Sequence, residues 1–239
     1  MVVNVTPQFD EFYLSEPIPA EPKLYFTAVM DLIAGTNLKP PLSILDIGTA
    51  NGAFQAYLSD RFDCRRLVGT DIYGEMIAAA RANVPEAEFI KCSLLQMPAD
   101  MSDAFDVTTA FGVIQHFDEN ELKTGMAEMI RCTRKGGRIY IFSAFNEYGV
   151  DVVLRYRMKR GAQPDNWLSG NNIFCFETIE ELLRGNVDTW NFIPFEPRLN
   201  QQKVDDPRRT WTIKTETNPF QRTNGLKFLT DIYILEIQV

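Results

Sequence analysis

Histidine is almost missing from this chain: 239 residues contain one, His116. A metal site built on imidazoles is thereby excluded, because such sites need several. The four cysteines, Cys64, Cys92, Cys132 and Cys175, are scattered and form no C-x-x-C pair. With no signal-like N-terminus, they read as reduced thiols of a cytoplasmic protein. No apolar run approaches the roughly 18 residues of a membrane span. Positive charge is also scarce: 24 Lys and Arg face 32 Asp and Glu, a net charge of −8 with a pI near 4.8. That balance argues against nucleic acid as the main partner. There is no internal repeat and no low-complexity linker. A chain of this length, with 45% hydrophobic residues, can bury one substantial core.

What is present concentrates in residues 43–55, S-I-L-D-I-G-T-A-N-G-A-F-Q. Ile44, Leu45 and Ile47 read as a buried strand that Asp46 interrupts near its end. Gly48, Thr49, Ala50, Asn51 and Gly52 then make a turn of small residues, followed by a helical pattern at Phe54, Leu58 and Phe62. Strand, turn and helix open a βαβ unit. Small residues let a ligand lie against the backbone. The helix N-terminus adds unpaired N–H groups and a partial positive charge, and Asp46 offers a carboxylate to something cationic or hydroxylated. A βα turn with no ligand is the alternative reading. The spacing is not the dinucleotide fingerprint G-x-G-x-x-G. It resembles motif I of the class I S-adenosylmethionine (SAM) methyltransferases, (D/E)-x-G-x-G-x-G, with Ala50 in place of the middle glycine.

Ahead of this motif, residues 1–22 carry Pro7, Pro17, Pro19 and Pro22 between the aromatics Phe9, Phe12 and Tyr13, an irregular arm. The aromatics either pack on the core or close as a lid, with Tyr13 the candidate for the lid. Residues 23–33 predict a helix with Leu24, Ala28 and Leu32 on its apolar face. Beyond the motif, Leu67 and Val68 suggest a second strand ending at Asp71, and carboxyl ends of strands are where open α/β sheets bind ligands. The alternative for Asp71 is a helix cap. A helix with Met76, Ile77, Ala80 and Val84 on one face follows, then a third strand at Phe89 and Ile90.

Residues 105–117, F-D-V-T-T-A-F-G-V-I-Q-H-F, resemble the fourth strand and following loop of small-molecule methyltransferases, with the strand at 107–111. Asp118 and Glu121 predict a capping box opening a helix with Leu122, Met126, Met129 and Ile130. Residues 134–143 resemble the fifth strand. An insertion over 145–172 predicts a helix with Val150, Val153, Leu154 and Met158 on one face, and Arg157 falls on that apolar side. A cation there either snorkels or meets an anion. Thr178 and Glu181 predict another capping box, 190–195 a sixth strand, 210–217 a further strand and 228–239 the last.

The expected fold is therefore a single α/β domain, 1–239: a three-layer sandwich on a seven-stranded, mostly parallel sheet with its last strand antiparallel. It carries an insertion after the fifth strand and a long connection before the seventh. The N-terminal arm and helix occupy 1–40, the SAM-binding core 43–143, and the substrate cover with the C-terminal strands 145–239. The resemblance implies S-adenosylmethionine as cofactor, held by Asp46, Gly48, Thr49, Ala50, Asn51, Gly52, Asp71, Ile72, Ser93, Leu94, Phe111 and Gly112. It gives Asp71 the ribose hydroxyls. Ser93 and Leu94 stand where the family often has an acid near the adenine. His116 lies where the resemblance places the reacting groups and is the candidate base, with Gln115 beside it. Tyr13 and Arg157 complete the candidate substrate contacts.

No carboxylate cluster at 111–117 suggests a catalytic metal, and the Asn/Asp-Pro-Pro-Tyr loop of amino-group and nucleic-acid methyltransferases is absent. The expected reaction is methyl transfer to a small polar or anionic molecule, at a hydroxyl, with a sugar-type acceptor among the candidates and no nucleic acid or membrane partner. Oligomeric state is left open. A non-catalytic SAM-binding module and an aminopropyltransferase-like enzyme are the rivals.

Overall fold

The structure is a computed structural model that describes residue 14 and residues 17–157, 159, 167–203, 205 and 209–239. In chain order the first half contains α1 (Leu24–Ala34), β1 (Leu42–Ile47), α2 (Ala53–Arg61), β2 (Cys64–Asp71), α3 (Gly74–Asn83), β3 (Glu88–Lys91), β4 (Phe105–Phe111), α4 (Glu119–Cys132) and β5 (Thr133–Asn146). The second half contains β6 (Arg155–Arg157), β7 (Trp167–Ser169), β8 (Phe174–Cys175), α5 (Phe176–Leu183), β9 (Thr189–Pro194), β10 (Trp211–Ile213), β11 (Gln221–Thr223), β12 (Leu229–Thr230) and β13 (Ile232–Gln238).

The main sheet runs β3-β2-β1-β4-β5-β13-β9, and short β8 pairs with β5 off this path. Strands β1 to β5 pair in parallel, and β13 runs antiparallel to both β5 and β9. This is the expected mostly parallel sheet with an antiparallel last strand. β1 is buried along its whole length. A strand between two parallel neighbours, covered on both faces, must be apolar almost continuously.

Alternation along the strands builds two cores. Leu45, Ile47, Ala110, Ile139 and Ile141 meet Leu122, Met126 and Met129 of α4 and Ile179 and Leu183 of α5. Ile44, Val107, Tyr140 and Ile234 point the other way, onto α1 and α2. Three layers result. α4 starts as expected: Asp118 accepts from the Glu121 amide, and the Glu121 carboxylate accepts from the Asp118 amide.

Some expectations fail, each for a physical reason. In α1 the buried stripe is Phe26, Val29, Met30 and Ile33, while Leu24 is exposed. Both stripes have helical spacing, and the bulkier one took the core. The insertion is not helical. Arg155–Arg157 pairs antiparallel with Trp167–Ser169, and Val152 bridges Ile173. Val150 and Val153 are exposed. Their helical spacing was coincidental; β-branched residues favour extended backbone, and the pairing strand lies beyond any local window. Thr178 does not cap its own helix. α5 begins earlier, and Asp151 accepts from both the Cys175 amide (2.8 Å) and the Thr178 hydroxyl (2.6 Å). The strand expected over 210–217 shortens to Trp211–Ile213 and joins a separate three-stranded sheet with β11 and β12.

At the amino-terminal edge of the sheet, Asp106 is fully buried. Its Oδ2 accepts from the Ser43 amide of β1 (2.6 Å) and from Arg65 of β2 (2.8 Å), and Arg134 of β5 pairs with its other oxygen. One carboxylate thus fastens four neighbouring strands. Both arginines are nearly half exposed, so solvent screens part of the attraction. Removing the carboxylate strands a buried amide and two cations. Asp106→Ala should lower stability by about 2–4 kcal/mol in urea unfolding, and a loss below about 0.5 kcal/mol would remove this clamp from the account.

Candidate active site

From β1 the chain steps outward to β2 and β3; from β4 it steps the opposite way to β5. Loops leaving the carboxyl ends of β1 and β4 therefore diverge, and a crevice opens between them. A cleft of about 470 Å³ lies there. Its walls are the ends of β1, β2 and β4, the turn at 92–95, the loop at 112–117 and the start of α1.

The turn after β1 is the floor. The Gly48 and Thr49 amides both donate to the Thr70 carbonyl, at 2.8 and 2.9 Å, which ties the turn to β2. Gly48 has φ 71°, and a Cβ there would stand 2.6 Å from Val113 Cγ2. Only glycine lets the loop after β4 close over the loop after β1. Ala50 also sits in the left-handed region, at φ 49°. That costs a non-glycine residue roughly 1–2 kcal/mol, and the conformation points its amide at Asp71.

Asp71 stands at the end of β2. Its Oδ2 accepts from the Ala50 amide and its Oδ1 from the Tyr73 amide, each at 3.0 Å. An ionised carboxylate has about four acceptor directions, so both oxygens keep capacity for a ligand. Burial pushes this carboxyl above its ordinary range, while the surrounding amides pull it back.

Asp46 is held differently. Its Oδ1 accepts from the Thr109 hydroxyl (2.7 Å) and its Oδ2 from Gln55 Nε2 (3.1 Å); Gln55 Oε1 in turn accepts from the Thr49 hydroxyl (2.8 Å). Every donor here is neutral, and burial pushes the Asp46 carboxyl up to about 7. Asp46 still lines the cleft.

The far wall carries Ser93, whose hydroxyl oxygen accepts from the Leu95 amide (3.2 Å), and buried Leu94. After β4 come Phe111, Gly112, Gln115 and His116, all lining the cleft. His116 Nδ1 lies 3.4 Å from the Ser169 carbonyl oxygen. Burial holds this imidazole below its ordinary value, with the Ser169 carbonyl pulling weakly the other way.

Asp46, Gly48, Thr49, Ala50, Asn51, Asp71, Ile72, Ser93, Leu94, Phe111, Gly112, Gln115 and His116 thus converge on one cleft. Gly52 lies beneath the turn, packed on Ala80 and Phe89. Arg157 is not among the lining residues. It sits in β6 with its guanidinium 5.3 Å from the Trp167 ring, and the helical-face argument that aimed it at the cleft falls with the helix. Tyr13 lies outside the described residues.

Sequence reasoning missed Lys23 and Tyr25 from the start of α1, the buried Gln55, and Glu121 as a wall residue. Tyr25 stacks on Phe142 with centroids 4.6 Å apart and also meets Phe111. Only Gln55 carried a signal, as a polar side chain on the sheet-facing side of a helix.

The residues fit a nucleoside-bearing cofactor of the kind the resemblance implies. Asp71 retains acceptors for a pair of hydroxyls, the turn after β1 lines the cleft, and Leu94 and Ile72 offer apolar faces for a base. Among the described residues there is no group of three or more His, Cys, Asp or Glu that could hold a metal ion. No described helix is long and apolar enough to cross a membrane.

This doubly wound core, with its cleft at the reversal point, resembles that of the class I, Rossmann-like SAM-dependent methyltransferases. Residues 44–137 match the family model described as a methyltransferase domain. A demethylmenaquinone methyltransferase of Chlorobaculum tepidum is 34% identical over 98 residues, 41% of this chain and 39% of that protein. A trans-aconitate 2-methyltransferase of Azoarcus is 29% identical over 114 residues, 48% of this chain and 44% of that one. The chain thus spans less than half the length of these relatives. Among solved structures, the YcgJ protein of Bacillus subtilis superposes with a TM-score of 0.58 at 14% identity, covering 90% of this chain and 99% of that one. A SAM-dependent methyltransferase of Methanosarcina mazei gives 0.56 at 16% identity, covering 87% and 97%. At these identities the structures speak for the fold.

The Asp46 network makes a pH prediction. Its folded value near 7 exceeds the unfolded 3.8, so between these values the folded state binds more protons and stability falls as pH rises. Asn can keep the carbonyl acceptor without the charge. Urea midpoints of the wild type should therefore drop by more between pH 5 and pH 8 than those of Asp46→Asn. Parallel pH profiles would show that Asp46 is not held neutral by its surroundings.

Proposed function

We propose that this chain is a SAM-dependent methyltransferase acting on a small molecule, and that the acceptor atom is a hydroxyl oxygen. The observation that carries the reading is the position of Asp71: a carboxylate at the end of β2, oriented by two amides of the neighbouring turns, with acceptor capacity left over and facing the cleft. In this reading Asp71 accepts from both ribose hydroxyls, the turn at 48–52 carries the methionine portion, and Ile72, Ser93 and Leu94 flank the adenine. Phe111 and Gly112 line the passage to the acceptor. The demethylmenaquinone and trans-aconitate methyltransferases among the relatives support a small-molecule acceptor.

Bound SAM supplies an activated methyl group on a sulfonium. The protein therefore has to position the acceptor, exclude water and receive one proton. His116 is suited to the last task. Its burial holds it neutral near pH 7, so a lone pair is available to take the hydroxyl proton as the oxygen–methyl bond forms and the sulfur–methyl bond breaks. S-Adenosylhomocysteine leaves and the imidazolium returns its proton to water. Gln115 beside it can hold the acceptor. With Arg157 outside the cleft, an anionic group on the acceptor loses the residue that supported it. The lining favours a neutral hydroxyl compound, because beside Lys23 it carries the carboxylates of Asp71 and Glu121 and the Asp46 carboxyl, which burial pushes up to about 7.

Two measurements test this. Charge-assisted hydrogen bonds are worth about 1.5–3 kcal/mol each, so Asp71→Ala should weaken SAM binding in calorimetry by at least roughly tenfold with the melting transition retained. Unchanged affinity would take Asp71 out of the site. On an acceptor panel, His116→Gln should lower turnover by about 10²–10⁴-fold. The wild-type rate should fall as pH drops through a value below 6.5, because the imidazole is displaced downward and only its neutral form accepts a proton. Full turnover in the variant would exclude a base at His116.

A further inference from the structure

The loop bearing Gln115 and His116 makes a tight turn at Ile114–His116. All three carbonyls at 115–117 are taken by one short segment of the insertion. The Asn172 amide donates to Gln115 O (2.9 Å), the Ser169 hydroxyl to His116 O (3.3 Å), and Asn172 Nδ2 to Phe117 O (2.7 Å). Asn172 is fully buried, and its side-chain oxygen accepts from the Leu154 amide at 2.8 Å. The segment is thus anchored to the rest of the insertion as well as to the loop. Gly170 packs on the imidazole edge: a Cβ there would stand 2.9 Å from His116 Nδ1 and 3.2 Å from Cε1. No side chain fits between this backbone and the ring.

We infer that residues 169–172 position His116, with the Ser169 main-chain carbonyl fixing the imidazole in one tautomer. A carbonyl oxygen can only accept, so the nitrogen facing it must carry the proton. His116 Nδ1 is that nitrogen. The lone pair of the neutral ring then lies on Nε2, the nitrogen away from this contact. Gly170 lets the carbonyl approach, and Asn172 keeps the strap in register with the loop. The insertion is therefore part of the reacting apparatus as well as a cover. Of the other titratable groups, Glu121 and Lys23 line the same cleft and the Tyr156 hydroxyl lies 4.0 Å from the Gly170 Cβ position. The functional weight of this inference rests on the reading of His116 as a base. The tautomer itself does not.

A single histidine makes the test clean, because each imidazole nitrogen gives one signal. In ¹⁵N-labelled full-length protein, long-range proton–nitrogen spectra above the imidazole pKa should show the proton on Nδ1 and an unprotonated Nε2. A proton on Nε2, or rapid averaging between the two, would overturn the inference whatever the enzyme does. Gly170→Ala should disturb this signature and lower turnover at least tenfold, moving the acid limb of the pH–rate profile while SAM affinity stays put. Unchanged tautomer, turnover and acid limb in a folded Gly170→Ala protein would also overturn it. Loss of the base role is distinguishable: Nδ1 protonated as expected, yet His116→Gln fully active, would sink the base and leave the strap standing.

Discussion

The hydrogen bond from the Ala50 amide to the Asp71 carboxylate joins the two structural features on which the cleft depends. One is the turn after β1, which needs Gly48 to lie under Val113 and Ala50 to accept a left-handed backbone. The other is the end of β2, where a carboxylate is buried at an energetic cost that its amide donors partly offset. Without this bond the Gly48 and Thr49 amides still tie the turn to β2 and the Tyr73 amide still reaches the carboxylate, but the left-handed backbone at Ala50 and the second oxygen of Asp71 lose their shared contact. Because β1 and β2 are neighbours in register, with Ile47 opposite Thr70, their ends reach the cleft together.

The two edges of the sheet divide the labour. At the amino-terminal edge Asp106 meets an amide and two arginines, a paired charge that holds strands together. At the carboxyl edge Asp71 is deliberately under-committed and Asp46 is surrounded by neutral donors. Buried carboxylates of similar appearance in the sequence thus serve opposite ends. The kind of partner and the exposure to the cleft separate them: Asp106 pairs with two arginines away from the cavity, while Asp71 has amide donors only and lines the cleft.

What was legible in the sequence was local. The small-residue turn, Asp71 after a short apolar strand and the Asp118–Glu121 capping box depend on neighbours within a few residues, and the structure holds each where the pattern put it. Gln115 and His116 were legible by resemblance, and they line the cleft. What stayed hidden was non-local. Tyr25 reaches the cleft only because α1 docks on Phe111 and Phe142. Asn172 looks like an ordinary loop residue until its side chain is seen between Leu154 and Phe117. Arg157 shows the converse: helical spacing among the valines predicts a helix, whereas Arg155–Arg157 pairs with Trp167–Ser169, beyond any local window.

The central claim is that the cleft at the carboxyl ends of β1, β2 and β4 takes SAM with its ribose on Asp71. A crystal structure of the chain with bound S-adenosylhomocysteine tests it most directly. The account predicts both ribose hydroxyls within about 2.6–3.2 Å of the Asp71 oxygens, the adenine beside Leu94, and the sulfur opening toward His116. A nucleoside bound elsewhere, or one whose ribose leaves Asp71 untouched, would contradict it.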